Sequence, residues 1–480
     1  MNTYKTGIDA ISFYVPNIYL TIERLGKARE IAPEKLKRGL GLNKMSVPNV
    51  GEDAATFAAN ALLKLIKENN IHPNSIGRVY LGTESAVDGS KPTATYAIEI
   101  VEKQLSELFG ERCFKNCDVL DMTFACVGGI DALHNSLDWV KQNPNKKAVV
   151  IASDLSKYDI ASTGEYTQGA GAVAVLVSID PDILIIEDTW GIATKSEGDF
   201  FKPRRVFKKA DIVKSLLSEF KVNASYQEIE SFLKTTSSEF WNDSNVMIEV
   251  FKEEPVFDGQ FSNNCYNERI TEAFENFINQ TNINILNDWN QFIFHLPYAF
   301  HGRRIVFDNW LKWIENTPIM IQLVQEIGDD DINSKEWVKR AYKSEVYNSF
   351  IINRIADGEK ASSEIGNMYT ASIFMSFLSY LSVALNDNKD ISGQKVGFIS
   401  YGSGSKSKIF QGVISPNWNF KLKKVHLFQS LNNRSEIKVS EYEELHTSKR
   451  TTPILEGSNI ALDYIETDET NYGLRRYAIK

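Results

Sequence analysis

Two segments more than two hundred residues apart share one design. GAGAVAVLVS (Gly169–Ser178) and GSGSKSKIFQGVIS (Gly402–Ser415) each set alternating small residues ahead of an apolar strand. A chain that repeats such a unit is constrained to build two similar α/β halves around a shared core. The text around each copy agrees. In the first 180 residues the apolar runs RVYLGTES, CDVLDMTF, KAVVIASD and AVAVLVS alternate with the helix-patterned DAATFAANALLKLIKEN and GGIDALHNSLDWVKQ. This is the rhythm of βαβ units with a sheet covered on both faces. A second copy comprises QFIFHLPY, the helix-like YTASIFMSFLSYLSVAL and KVGFISYGSGSKSKIFQGVI. The halves are assigned to residues 1–180 and 255–480. Between them, residues 206–254 are charged with apolar residues at helical spacing, and read as an inserted amphipathic helical element. Another helical stretch runs from about Asn309 to Asn348.

Composition narrows the function classes. With 53 Lys plus Arg against 62 Asp plus Glu, the net charge of -9 has the wrong sign for a nucleic-acid partner. The longest apolar stretch, Ala371 to Leu385, is broken by serines and falls short of the roughly 20 residues a membrane span needs. The N-terminal MNTYKTGIDAISFYVP lacks the basic start and cleavage site of a signal peptide, so the expected location is the cytoplasm. Four cysteines in 480 residues are too few for a disulfide framework, and no second CxxC pair accompanies them for zinc. No metal is assigned, and GSGSKS and GAGAVA lack the spacing of nucleotide loops.

Cys126 is the most informative thiol. CDVLDMTFAC reads as a buried strand and GGIDALHNSLDWVKQ as the helix after it, which places the sulfur at a helix N-terminus. There the unsatisfied N–H groups favour thiolate, and two glycines would let a substrate approach the backbone. A free cysteine is otherwise most often a small buried apolar residue. His295 ends the run QFIFHLPY just before Pro297, at the carboxyl edge where α/β sheets gather functional groups, and His301 is close to it in sequence. Glu84, in VYLGTESAVDGSKP, follows a strand in the same way and could act as acid or base. Asn367, in SEIGNMYTAS, opens the helix of the second half much as Cys126 opens that of the first, where an asparagine commonly serves as an N-cap.

LGTESAVDGSKP, FACVGGIDALHNS, IASDLSKYDIASTGEYTQGAGAVAVLVS, DFFKP, PVFDGQFSNNCY, HLPY, GNMYTAS and SYGSGS occur together and in this order. With them the chain resembles the 3-hydroxy-3-methylglutaryl-coenzyme A synthase family from about Gly7 onward, apart from the stretch between Arg205 and Pro255. The resemblance implies a thiolase-like, five-layered αβαβα fold of two pseudo-repeated halves, assembled as a homodimer. It implies condensation of acetyl-CoA with acetoacetyl-CoA and water, without metal or redox cofactor, in the mevalonate route to isoprenoids. The family's catalytic cysteine, glutamate and histidine match Cys126, Glu84 and His295. Residues matching Asp154, Tyr158, Asp199, Phe200, Asn367, Tyr369, Tyr401 and Ser403 would surround the acyl groups.

On this reading the Cys126 thiolate holds the acetyl group, and Glu84 moves protons at the acetyl methyl and the new alkoxide. The amide of Cys126 and the backbone at Gly402 and Ser403 are candidate oxyanion donors. Two departures from the family pattern stand out. Phe300 occupies the position of a lysine that meets CoA phosphate, with Arg303 or Arg304 as substitutes for its charge, and the insertion has no counterpart. The insertion could be a lid over the CoA tunnel or extra dimer surface. An acceptor carried by an acyl carrier protein is the alternative that Phe300 leaves open. A decarboxylating ketosynthase is disfavoured by Glu84, since loss of carbon dioxide needs no such base.

Overall fold

The computed structural model describes residues 4–242, 244–332, 334–455 and 460–479. The main unit spans residues 1–199 and 258–480 and contains a ten-stranded sheet. Its strands are β1 (Thr6–Tyr14), β2 (Ile76–Gly82), β3 (Asp118–Met122), β4 (Lys147–Leu155), β5 (Ala170–Ile179), β6 (Leu184–Ile186), β7 (Gly191–Thr194), β8 (Gln291–Phe294), β9 (Lys395–Gly402) and β10 (Lys406–Ile414). They are ordered β8-β9-β10-β6-β1-β5-β4-β2-β3, with β7 also on β10.

The pairing repeats. In the first half β2 runs parallel to β4, which is antiparallel to β5, which is antiparallel to β1. In the second, β8 runs parallel to β9, which is antiparallel to β10, which is antiparallel to β6 and β7. The halves join where β1 pairs antiparallel with β6. The repeated segments GAGAVAVLVS and GSGSKSKIFQGVIS therefore occupy equivalent places, β5 and β10. Strands β6 and β7, between the two expected halves, complete the second one.

Five helices place the site: α1 (Pro33–Leu40), α2 (Ala54–Glu68), α3 (Gly128–Gln142), α4 (Gly259–Thr281) and α5 (Ser372–Asn386). Helices α3 and α5 share one apolar core with strands of both halves, α2 packs on the outer face of the first half, and α4 on that of the second. This gives the expected helix, sheet, helix, sheet, helix layering. The α2 run of small alanines lets its backbone approach the sheet, so Ser12 Oγ reaches the Ala61 carbonyl at 2.6 Å and Ser153 Oγ the Ala54 carbonyl at 2.7 Å. Asp53 caps it by accepting from Thr56 N at 3.0 Å, while Thr56 Oγ1 accepts from Asp53 N. Helix α5 is buried on nearly all sides, as a helix without a polar face must be.

Two readings of the sequence need correction. The strand in CDVLDMTFAC is not buried: β3 is the last strand of the sheet, paired on one side only, and Leu120 is 42% exposed. None of its five residues is buried, as the solvated edge of a sheet allows. The glycines of CVGG are filled by protein rather than open to a substrate. A Cβ on Gly128 would lie 2.6 Å from the Met122 carbonyl oxygen, and one on Gly129 2.8 Å from Thr370 Oγ1. Both are needed for close packing of α3 against its neighbours.

The second unit, Phe200–Phe257, contains strands as well as helices. Arg205–Lys208 pairs antiparallel with Met247–Val250, and helices Lys209–Glu219 and Tyr226–Thr235 lie between them in sequence. Phe200 and Phe201 pair with Phe257 and Val256. Among the described residues no helix is long and apolar enough to cross a membrane.

Candidate active site

Cys126 lies in the turn between β3 and α3. The turn forces Ala125 to φ +39°, a left-handed conformation that a residue with a Cβ adopts only under constraint. It is closed by hydrogen bonds from Val127 N to the Phe124 carbonyl and from Gly128 N to the Ala125 carbonyl. The Cys126 thiol donates to Glu84 Oε1 at 3.0 Å. Glu84 follows the carboxyl end of β2, and its backbone is pinned. Asp154, fully buried at the end of β4, accepts from Glu84 N at 2.8 Å and from Thr83 Oγ1 at 2.9 Å. The other oxygen of Asp154 accepts from Thr370 N at 3.0 Å, and Thr370 Oγ1 accepts from Gly129 N at 2.6 Å. Asp154 thus fixes the Thr83–Glu84 segment and the Thr370 segment at once, and Thr370 in turn holds the start of α3.

The second half supplies the opposite wall. Tyr369 precedes Thr370 with φ +42°, as Ala125 precedes Cys126. A 3-10 turn, Tyr369–Ala371, separates Asn367 from α5, so Asn367 does not open the helix directly. It lies two residues before that turn, its Oδ1 accepting from Tyr369 N at 2.8 Å and Ser372 Oγ at 3.2 Å. Tyr158 and Tyr369 are buried neighbours. Burial, with Glu84 and Cys126 nearby, raises both phenols above their usual range, so both remain protonated donors.

His295 follows β8 directly. Burial pushes its ring down to about 3, so it is neutral at physiological pH. The ring hydrogen-bonds to the Tyr369 backbone, and Nδ1 is buried with no protein partner among the described residues. Tyr266 of α4 braces the second wall. Its hydroxyl donates to the His295 carbonyl at 2.9 Å, its ring packs 4.3 Å from Tyr401, and Cys126 contributes to the upward shift of its pKa. His301 is buried and stacks on Tyr266 at 4.7 Å.

Asp199, also fully buried, accepts from the Tyr401 hydroxyl at 2.6 Å and from Gly404 N at 2.7 Å. These bonds anchor the turn that carries Gly402 and half-buried Ser403. Gly402 meets the nucleophile turn backbone to backbone, since a Cβ there would lie 2.6 Å from the Phe124 carbonyl oxygen and 2.9 Å from Val127 N. Phe200 belongs to the smaller unit. The two arginines diverge. Arg303 stacks 3.7 Å over the Phe300 ring and grips buried Glu359, Nε to Oε1 at 2.9 Å. Arg304, by contrast, lines a pocket of about 350 Å³ together with Lys35 and Leu36 of α1, Ser162 and Tyr166.

Tyr266, Thr83 and Thr370 were not singled out from the sequence. Their membership in the ordered motifs was the only signal, and a threonine or a helix tyrosine carries none by itself.

A thiol in contact with a carboxyl, protonated phenols beside them and a neutral imidazole bonded to the backbone of one of those tyrosines are groups suited to holding an acyl group and stabilising an enolate. The description "Hydroxymethylglutaryl-coenzyme A synthase N terminal" matches residues 3–182, and its C-terminal counterpart matches residues 247–456. The chain is 27% identical to the hydroxymethylglutaryl-CoA synthase of Haloferax volcanii, over 98% of its own length and 99% of that protein. It is also 27% identical to that of Enterococcus faecalis, over 93% of each. Among solved structures, MvaS in complex with 3-hydroxy-3-methylglutaryl coenzyme A superposes with a TM-score of 0.74 at 25% identity, covering 99% of both chains. The curacin pathway HMG synthase in complex with acetyl donor-ACP shares the fold, with a TM-score of 0.73 at 20% identity over 99% of this chain and all of that one. The fold is thiolase-like, and the chain belongs to the hydroxymethylglutaryl-CoA synthase family.

Proposed function

We propose that this chain condenses acetyl-CoA with acetoacetyl-CoA and water to give 3-hydroxy-3-methylglutaryl-CoA and free CoA. The observation that carries the reading is the 3.0 Å contact of Cys126 Sγ with Glu84 Oε1 on the strained turn before α3. Glu84 takes the thiol proton as sulfur attacks the acetyl carbonyl, and that proton leaves with CoA. The carboxylate, free again, removes a proton from the acetyl methyl. The enolate oxygen is met by backbone donors at Cys126 and at the Gly402–Ser403 turn. The enolate carbon then attacks the ketone carbon of acetoacetyl-CoA, and Glu84 returns its proton to the new alkoxide. Neutral His295 and Asn367 orient the acceptor thioester, and water releases the product from Cys126. No step calls for a metal or redox cofactor.

The close approach of Gly402 gives one test of the oxyanion assignment. In Gly402→Ala the added methyl must push the end of β9 away from Phe124 and Val127. Overpacking of this kind costs about 1–3 kcal/mol. Acetyl transfer to Cys126, followed by rapid quench, is expected to slow roughly 10²-fold, the usual effect of losing one oxyanion donor.

Arg304 and Lys35 place positive charge on the pocket beside α1, which supports CoA as the thioester carrier. Arg304→Ala is expected to raise KM for acetoacetyl-CoA about tenfold with kcat little changed. With the corresponding pantetheine thioester, which lacks the phosphates, the variant and wild type should agree within about twofold. The carrier-protein reading is favoured by one observation, Phe300 in place of the family lysine. Thiol release and product mass with acetoacetyl-CoA and with acetoacetyl carrier protein, side by side, test the proposed function. Faster turnover of the CoA substrate is expected, and turnover of the carrier-protein substrate alone would overturn the CoA assignment.

The protein acts in this reading as a homodimer in the cytoplasm and feeds isoprenoid precursor synthesis. The unpaired edge of β3, with exposed Leu120, supports self-association, and four free cysteines suit a reducing compartment.

A further inference from the structure

The nucleophile and the turn that faces it belong to different halves of the chain, Cys126 to the first and Gly402–Ser403 to the second. Backbone contact at Gly402 sets how close they come, and a separate group of charges spans the same junction. Asp131 lies in the first turn of α3, directly after the Cys126 turn. Lys406 and Lys408 project from one face of β10, just beyond the hairpin, and Lys406 pairs in register with Gly402. Lys406 Nζ lies 2.5 Å from Asp131 Oδ2, and Lys408 Nζ lies 2.8 Å from Oδ1, so one carboxylate holds both lysines.

Each lysine has a further partner. Lys406 sits 4.0 Å over the ring of Phe124, two residues before the nucleophile. Lys408 donates to His134 Nδ1 at 3.1 Å. The His134 ring stacks 4.0 Å from Trp190, and burial followed by Lys408 pushes it down to about 4, which leaves the ring neutral and able to accept. The three charged side chains are only 15%, 9% and 12% exposed. An ion cluster this well covered contributes specificity of arrangement more than stability, because desolvation offsets much of its attraction.

We propose that Asp131, Lys406 and Lys408 form an ionic latch that holds the Gly402–Ser403 turn in register with the Cys126 turn. They are positioning residues, since none of them touches the reacting sulfur. The proposal rests on the acyl-enzyme reading above.

It separates two reactions of the same thiol. Acetyl transfer from acetyl-CoA develops charge on a carbonyl oxygen and needs the aligned turn, whereas alkylation by iodoacetamide develops none there. In Lys406→Met, which keeps the apolar stem and removes the charge, acetylation of Cys126 is expected to slow about tenfold or more. Alkylation of Cys126 should stay within about twofold of wild type, and Lys406→Arg should recover most of the acetylation rate. Asp131→Asn, which keeps the shape of the side chain, should reproduce the selective loss.

The latch is overturned if acetylation in both Lys406→Met and Asp131→Asn remains within about twofold of wild type, or if acetylation and alkylation fall together. Wild type that takes no acetyl group from acetyl-CoA would instead defeat the underlying functional reading.

Discussion

Cys126→Ala is expected to abolish retention of label from acetyl-CoA on the protein and to lower overall turnover on the order of 10⁵-fold. In the proposed reaction the sulfur carries the acetyl unit between the two half-reactions, with the Glu84 carboxyl in contact with it. Folding should survive. The Cys126 side chain donates one hydrogen bond to a half-buried carboxylate and leaves a small void when shortened to Ala. The strain at Ala125 and the closing bonds of the turn lie in the backbone. Acid-stable label counted after gel filtration, with the melting temperature measured in parallel, checks both halves of the expectation.

Glu84→Gln separates the steps. Its amide keeps the size of the carboxyl group, and its backbone N–H stays bonded to Asp154. Acetylation of Cys126 should persist at a reduced rate, since the thiol loses its proton acceptor but keeps its turn and helix N-terminus. Condensation should fall about 10³-fold or more, because an amide cannot remove a proton from the acetyl methyl. Mass measurement of the acetylated protein before and after addition of acetoacetyl-CoA distinguishes the outcomes. Condensation near the wild-type rate would remove Glu84 from its role.

The parts of this molecule legible in the sequence were those governed by local rules. Glu84, Cys126 and His295 each follow an apolar run closed by Gly, Pro or a helix start, and such punctuation marks a strand end wherever it occurs. Helix α3 matches GGIDALHNSLDWVKQ residue for residue, since its apolar spacing and glycine start are both local. What stayed hidden depends on contacts across the chain. Whether β3 is central or an edge is decided by which strands flank it, and its five residues hold no such information. The strands at Arg205–Lys208 and Met247–Val250 are four residues long and charged, so the helical period around them dominates. The hold of Asp154 on Thr370, and that of Asp131 on Lys406, join residues more than two hundred positions apart.

The pseudo-twofold explains why the site lies where it does. Each half brings a strained residue immediately before a helix-opening segment, Ala125 in one and Tyr369 in the other, and the Thr370 hydroxyl bonds to Gly129 N where the two meet. Only the first half places a thiol there. The second contributes Asn367, His295 and the glycine turn, so in the proposed mechanism one copy of the repeat supplies the nucleophile and the other the surface for the incoming acceptor.

The central claim is that carbon–carbon bond formation takes place on an acetyl group held by Cys126 beside Glu84 and His295. The most direct measurement is a chase. Protein loaded with labelled acetyl-CoA and freed of excess is mixed with unlabelled acetoacetyl-CoA, and the peptide carrying Cys126 and the released thioesters are followed by mass. The account predicts that label leaves the Cys126 peptide and appears in 3-hydroxy-3-methylglutaryl-CoA. Label that never resides on Cys126, or that leaves it only as acetate, would contradict it.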